Sequence, residues 1–158
     1  MKSDKIIDYL KNHKYAITIG KFIIGILVFI IIDIFYLMSV SNYFTKMTKN
    51  IRLRKHYLLI PIFFIYFILF SSLYYFVLRH INAQTIKNKF NILFKLLEAF
   101  LLGFSIYSVY ELTNYALFKN WTLHMVVLDS VWGGILCTLV SIVYIFLITI
   151  TNRYFNIM

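Results

Sequence analysis

The segment that decides the fold is YELTNYALFKNWTLHMVVLDSVWGG, residues Tyr110–Gly134. Its middle, around Asn120, is short and polar, and a long apolar run extends from each side of it. This pattern predicts two membrane-spanning helices that turn back on each other. Glu111 precedes Asn120 by nine residues and Asp129 follows it by nine. Because a helix rises about 1.5 Å per residue, we expect both carboxylates in one layer, roughly 13 Å below that membrane surface.

The composition is that of a membrane protein. Of the 158 residues, 61% are hydrophobic and 14% are charged, and the mean hydropathy is +0.80. Apolar runs at about 17–41, 57–79, 90–118 and 122–150 each reach the roughly 20 residues that a helix needs to cross the hydrocarbon. A bilayer admits only helices or closed barrels, and alternating strands of roughly ten residues are absent. The sequence therefore predicts an all-α fold with one membrane domain, residues 17–150, built as an integral bundle of four antiparallel transmembrane helices.

The two ends of the chain are predicted to lie outside this domain. Residues 1–16 form a basic amphipathic segment, which is typical of a short helix on an anionic membrane surface, and a solvated tail is the alternative. The apolar run that follows is too long for a signal-peptide core and lacks a small-residue cleavage site, so we expect the first helix to be retained. Residues 151–158 are predicted to form a C-terminal tail.

The net charge of +10 does not indicate nucleic-acid binding, because the basic residues cluster at the ends of the apolar runs, where they influence membrane orientation. Placing both termini and the second loop on one side gives that side eight basic residues and the other side six. The eight are Lys2, Lys5, Lys11, Lys14, Arg79, Lys87, Lys89 and Arg153. This bias favours cytoplasmic termini, although the first loop, with Lys46, Lys49, Arg52, Arg54 and Lys55, favours the opposite orientation.

Four of the six acidic residues fall within the predicted spans: Asp33, Glu98, Glu111 and Asp129. A charged side chain at the membrane centre costs roughly 2.5 to 3.5 kcal/mol, so such residues usually face the bundle interior and form a site. Asp33 precedes Asn42, the expected end of the first span, by nine residues and joins the layer of Glu111 and Asp129. Glu98 belongs near the opposite surface, where Lys95 explains it as an ordinary ion pair within one helix.

Helical spacing gives these three acids hydrogen-bonding neighbours. Asn114 and Tyr107 flank Glu111 at positions +3 and −4. Trp132 follows Asp129 at +3, and Tyr36 follows Asp33 at +3. The predicted ligand-binding or cation-binding site therefore comprises Asp33, Tyr36, Tyr107, Glu111, Asn114, Asp129 and Trp132.

Several neighbouring residues are expected to be structural. Trp121 and His124 are predicted to lie at the membrane–water interface, where amphipathic rings collect. Gly133 and Gly134 are predicted to permit close helix approach, and the lone Cys137 is predicted to be a small packing residue. The common motifs of soluble enzymes, such as the P-loop and HExxH, are absent from the sequence.

The Tyr110–Gly134 segment, together with IIDIFYL in the first span, resembles the bacterial and viral membrane proteins catalogued as domain of unknown function 2177. The resemblance covers about residues 23–146 and implies four spans, but no activity. It marks Asp33, Thr113, Asn114, Trp121, Asp129, Trp132 and Gly133 as positions of the family pattern. Glu111 stands where the family usually has Asp, and Tyr36 stands where Trp is common.

Three functions are compatible with the predicted site. In the first, the acids bind a cation, a proton or a cationic small molecule as in transport, which for a four-helix chain would require assembly of several copies. In the second, the protein is a membrane enzyme that acts on a lipid or isoprenoid, with one acid as proton donor and another as base. In the third, the acids are neutral hydrogen-bonding groups between the helices of a scaffold. The lipid bilayer is the expected surrounding in each case.

Overall fold

The computed structural model describes residues 2–49 and 59–155. In these ranges the chain is helical and contains no strand: α1 Lys2–Met47, α2 Leu59–Phe76, a 3₁₀ turn Leu78–His80, α3 Ala83–Lys87, α4 Lys89–Leu117 and α5 Leu123–Phe155. Four segments are long and apolar enough to cross a membrane: Tyr15–Met47, Leu59–His80, Lys89–Leu117 and Leu123–Thr151. The predicted all-α membrane bundle is confirmed.

Helix α1 is longer than the first span predicted from the sequence. It runs without a break from Lys2 to Met47, so the basic N-terminal segment and the first span are one helix. Its last residue lies beyond Asn42 because Met47 is buried in an apolar cluster with Trp121 and Met125, beside the turn between α4 and α5. The predicted first-loop charges Arg52, Arg54 and Lys55 lie outside the described residues.

The segment between α2 and α4 contains two helix caps formed by asparagine side chains. The Asn82 side chain accepts a hydrogen bond from the backbone N–H of Thr85 at 2.9 Å, and the Thr85 hydroxyl accepts one from the backbone N–H of Asn82 at 3.4 Å. This reciprocal capping box starts α3. Asn88 caps α4 by accepting from the backbone N–H of Phe90 at 2.9 Å. The caps satisfy N–H groups that have no partner within their own helices.

The α4–α5 hairpin is the most closely packed pair of helices. Gly103 on α4 faces Gly133 on α5, so that a Cβ on Gly103 would meet the Gly133 carbonyl oxygen and the Cys137 thiol. Gly133 and Gly134 in turn lie against aromatic rings of α4, which confirms their predicted role in close approach. Cys137 is buried at the same contact. Small residues allow this approach in a bilayer, where lipid competes with ordinary apolar packing.

The other two spans, α1 and α2, differ in how closely they pack against the α4–α5 hairpin. Helix α1 packs against both α5 and α2, and Phe29, Phe70 and Leu73 are fully buried in the resulting core. Gly25 allows the ring of Phe70 to approach the backbone of α1. In contrast, α2 makes little contact with α4. The bundle is therefore tightly closed along α5 and less completely filled between α2 and α4.

Gly103→Ala should destabilise the hairpin by about 1 to 3 kcal/mol, the usual cost of overpacking. The added Cβ would meet the backbone of Gly133, which cannot move without displacing α5. Gly20→Ala is the matched control, because a Cβ at Gly20 meets nothing within 4 Å and alanine favours a helix over glycine by about 1 kcal/mol. Thermal unfolding in detergent should show a lower midpoint for Gly103→Ala alone. Equal midpoints for the two variants would contradict the close contact.

Candidate functional site

The three carboxyl groups predicted to share a layer are buried inside the bundle. Asp33, Glu111 and Asp129 are 6%, 0% and 5% exposed, respectively. The fourth acid of the spans differs, because the Glu98 side chain is 46% exposed and pairs with Lys95 at 2.6 Å. The predicted Lys95–Glu98 ion pair is confirmed. The candidate site is therefore limited to the three buried acids and their neighbours.

Asp33, on α1, receives hydrogen bonds from two other helices. The indole N–H of Trp132 on α5 donates to Oδ1 at 2.9 Å. The hydroxyl of Tyr66 on α2 donates to Oδ2, also at 2.9 Å. Each carboxylate oxygen thus has a donor, and Asp33 ties together three of the four spans.

Asp129, on α5, is bound from α1 by Tyr36. The Tyr36 hydroxyl donates to Oδ1 at 2.6 Å. The Tyr36 ring stacks on the Trp132 ring, with centroids 4.2 Å apart and planes 8° from parallel. The spacing along each helix pairs Tyr36 with Asp33 and Trp132 with Asp129, but the structure exchanges these partners. Both aromatic side chains extend across the helix interface, and each binds the acid of the other helix.

Glu111, on α4, is the most enclosed of the three acids. The indole N–H of Trp121 donates to Oε2 at 2.6 Å, whereas Oε1 has no hydrogen-bond partner among the described residues. The carboxyl groups of Glu111 and Asp129 lie within hydrogen-bonding range of each other, and the Asn114 amide lies beside Glu111. The side-chain amide nitrogen of Asn114 is also buried, and it donates no hydrogen bond to any described residue.

Trp121 lies inside the site, not at the lipid interface as predicted. Its side chain is 6% exposed and is flanked by the rings of Phe44 and Phe118. The backbone N–H of Trp121 donates to the carbonyl of Phe118 at 3.0 Å, which forms the turn after α4 and directs the indole towards Glu111. His124, by contrast, is exposed and contacts the ring of Tyr43, with centroids 5.9 Å apart.

Tyr107 and Thr113, which the sequence analysis also named, do not bind the acids directly. Tyr107 packs against Gly133 and lies close enough to Asp33 and Asp129 to interact with their charges, but its hydroxyl makes no hydrogen bond to another described residue. Thr113 is exposed, and its hydroxyl donates to the carbonyl of Val109 within α4 at 2.7 Å. Tyr107 therefore borders the site, and Thr113 lies outside it.

Sequence reasoning missed Tyr66, and it placed Trp121 elsewhere. Neither residue stands at helical spacing from the acid it binds, because the donor and the acceptor belong to different elements. One signal was available for Tyr66, which carries the only polar side chain between residues 59 and 70 of the second span. A buried tyrosine hydroxyl usually finds a partner, and the acids of the neighbouring spans are strong acceptors.

The three acids form two groups and not one cluster. Glu111 and Asp129 are a carboxyl pair, and Asp33 is a separate carboxyl joined to the pair through the stacked rings of Tyr36 and Trp132. Within residues 2–49 and 59–155, no set of three His, Cys, Asp or Glu side chains is arranged to hold a metal ion. The hydrogen bonds to the acids come from neutral indole and phenol groups. This arrangement is suited to holding a proton.

Residues 18–146 match the model of the family described as "Predicted membrane protein (DUF2177)". The matched region contains all three buried acids and their four aromatic donors. No curated protein and no solved structure matches the chain.

Removing one phenol donor should weaken the bundle. Tyr66→Phe keeps the ring but leaves Oδ2 of Asp33 without its donor, which should cost about 1 to 3 kcal/mol. Tyr115→Phe is the control, because Tyr115 is 46% exposed and its hydroxyl has no hydrogen bond to another described residue. Reversible unfolding in mixed micelles measures both changes. Equal stability of Tyr66→Phe and Tyr115→Phe would show that the bond to Asp33 contributes nothing.

Proposed function

We propose that this chain, which belongs to the DUF2177 family of predicted membrane proteins, binds a proton within the membrane at the carboxyl pair Glu111–Asp129. Its four candidate spans make it an integral, multi-pass membrane protein with buried acids. One observation carries the proposal: Oε1 of Glu111 is buried without a donor among the described residues, and a second carboxyl group, that of Asp129, lies within hydrogen-bonding range.

A shared proton meets the needs of this pair. Two ionised carboxylates in contact repel each other strongly where the local dielectric constant is low. One proton removes half of the charge and creates a hydrogen bond from a carboxyl O–H to a carboxylate oxygen, among the shortest and strongest in proteins. It would also supply the donor that Glu111 lacks, and a buried polar atom left unpaired costs about 1 to 3 kcal/mol.

The groups around the pair do not supply a competing positive charge. Helix α1 contributes Tyr36 and Asp33, α4 contributes Asn114, and the α4–α5 turn contributes Trp121. Within the described part of the chain, no Lys, Arg or His side chain makes an ion pair with Glu111 or Asp129. At Asp33 both carboxylate oxygens accept a hydrogen bond, whereas Oε1 of Glu111 has no hydrogen-bond partner among the described residues.

Proton binding at this site fits a transport-like function better than the alternatives of lipid enzyme or scaffold. The half-buried Tyr36 connects Asp129 to the edge of the bundle through its hydroxyl and offers a route for proton exchange. Four helices are few for a carrier that alternates between two access states, so we expect several copies to assemble for transport.

Infrared difference spectroscopy of the purified protein in lipid nanodiscs tests the shared proton. The wild-type protein should show a protonated-carboxyl stretch at neutral pH, and this band should disappear in Glu111→Gln and in Asp129→Asn. Asp33→Asn and Glu98→Gln should retain it, because neither residue belongs to the pair. The two pair variants should fold with normal or raised stability, since removal of a buried charge lowers the cost of burial.

Two outcomes of this experiment would refute proton binding by the pair. In the first, the wild-type protein at neutral pH shows no protonated-carboxyl band. In the second, the band survives both Glu111→Gln and Asp129→Asn. If the band is lost only in Asp33→Asn, the proton is bound by Asp33 and not by the Glu111–Asp129 pair.

We also propose that both termini face the cytoplasm. Four spans place both ends on one side, and the excess of basic residues, eight against six, supports the cytoplasmic side. In a Cys137→Ala background, Lys119→Cys at the α4–α5 turn should react with a membrane-impermeant maleimide on intact cells. Gln84→Cys on α3 should react only after permeabilisation. The reverse labelling pattern would establish the opposite orientation.

A further inference from the structure

A cleft of about 770 Å³ lies between α1, α2 and α4, on the side where α2 makes little contact with α4. Its walls are mainly aliphatic and aromatic, and wall residues such as Ile34, Phe63 and Ile65 are also exposed on the outer surface of the bundle. The volume lies within the roughly 300 to 1,000 Å³ of typical small-molecule sites. The cleft can therefore admit a molecule dissolved in the hydrocarbon.

Four polar side chains line this apolar cleft: Asp33, Tyr66, Tyr107 and Tyr110. Tyr66 donates to Asp33, whereas the hydroxyls of Tyr107 and Tyr110 make no hydrogen bond to another described residue. Among the described residues that line the cleft there is no Lys, Arg or His. The described walls of the cleft thus present one carboxylate and two available hydroxyls, and no positively charged side chain.

Asp33 has hydrogen-bonding capacity left for a ligand. An ionised carboxylate accepts about four hydrogen bonds through its two oxygens, and among the described residues Trp132 and Tyr66 are the two donors to Asp33. A primary ammonium group carries three N–H donors and a positive charge. It would form a charge-assisted hydrogen bond, which is roughly twice as strong as a neutral one.

We propose that the cleft binds a membrane-dissolved long-chain primary amine, with the ammonium group on the Asp33 carboxylate and the hydrocarbon chain against the apolar walls. The hydroxyls of Tyr107 and Tyr110 accept the remaining N–H groups. A fatty acid of the same length is repelled by Asp33, and an alcohol supplies one donor and no charge. The inference concerns Asp33 and does not depend on the proton shared by Glu111 and Asp129.

The depth of Asp33 favours a single-chain amine over an aminophospholipid. Its partner Tyr66 is seven residues after Leu59, the first residue of α2, which places the carboxylate about 10 Å along the helix from that end. A phospholipid whose amine reached this level would carry its phosphate into the hydrocarbon as well. A molecule whose only polar group is the ammonium avoids that cost, because its charge is neutralised by Asp33.

The test compares dodecylamine, dodecanol and dodecanoic acid, which have the same chain length and different polar groups. Native mass spectrometry of the protein released from nanodiscs should show the amine binding at least tenfold more tightly than the alcohol, and no binding of the acid. Asp33→Asn should reduce amine binding to the level of the alcohol. Glu98→Gln, which removes a carboxylate outside the cleft, should leave the amine preference unchanged.

A second variant keeps the test decisive if Asp33→Asn does not fold. Ile34→Trp fills the cleft from α1 and leaves the carboxylate in place, so it should lower amine binding and preserve the protonated-carboxyl band of the Glu111–Asp129 pair. Equal binding of all three probes, or amine binding retained in every variant that folds, would overturn the inference. An aminophospholipid that displaces dodecylamine would also overturn it, in favour of a two-chain ligand.

Discussion

The structure depends on the absence of hydrogen-bonding partners in hydrocarbon, because of which each buried carboxyl group takes its donors from other parts of the fold. Tyr36, Tyr66, Trp121 and Trp132 supply these donors. Three of these bonds join two spans, and the fourth joins the α4–α5 turn to α4, so the bonds to the acids also hold the helices together. A chemical site and a set of helix contacts are therefore built from the same side chains.

Aromatic donors suit this task in a membrane. A tyrosine or tryptophan carries its polar group at the end of a large apolar ring, so the ring can pack in the core while the hydroxyl or N–H reaches an acid on another helix. The glycines have the complementary role. The Gly103–Gly133 contact brings α4 and α5 together, and this approach places Glu111 beside Asp129. Small residues thus set the distance at which the carboxyl pair forms.

The two acidic groups differ in what can reach them. Asp33 has a donor on each oxygen and lines a cleft whose wall residues are exposed on the outer surface of the bundle. Glu111 is completely buried, and one of its oxygens has no hydrogen-bond partner within the described ranges. The stacked rings of Tyr36 and Trp132 connect the two groups, because each ring carries the donor of one acid.

The amino-acid sequence by itself determined that this is a membrane protein, that it has four helical spans, and that acidic residues lie within those spans. Apolar runs of sufficient length form membrane-spanning helices. The side chains of Asp33, Glu111 and Asp129 raise the free energy of such helices unless they face the interior of the bundle. Local spacing also identified the Lys95–Glu98 pair and the glycines of α5, since these depend on neighbours along one helix or on side-chain size.

Only the tertiary structure decided which donor serves which acid. Tyr36 and Trp132 exchange the partners that helical spacing assigns them, Tyr66 comes from a span without any acid, and Trp121 turns inward from the loop. It also separated Asp33 from the Glu111–Asp129 pair and opened the cleft between α2 and α4. These features arise from contacts between helices, and the spacing of residues along a single helix carries no information about the rotation and approach of its neighbours.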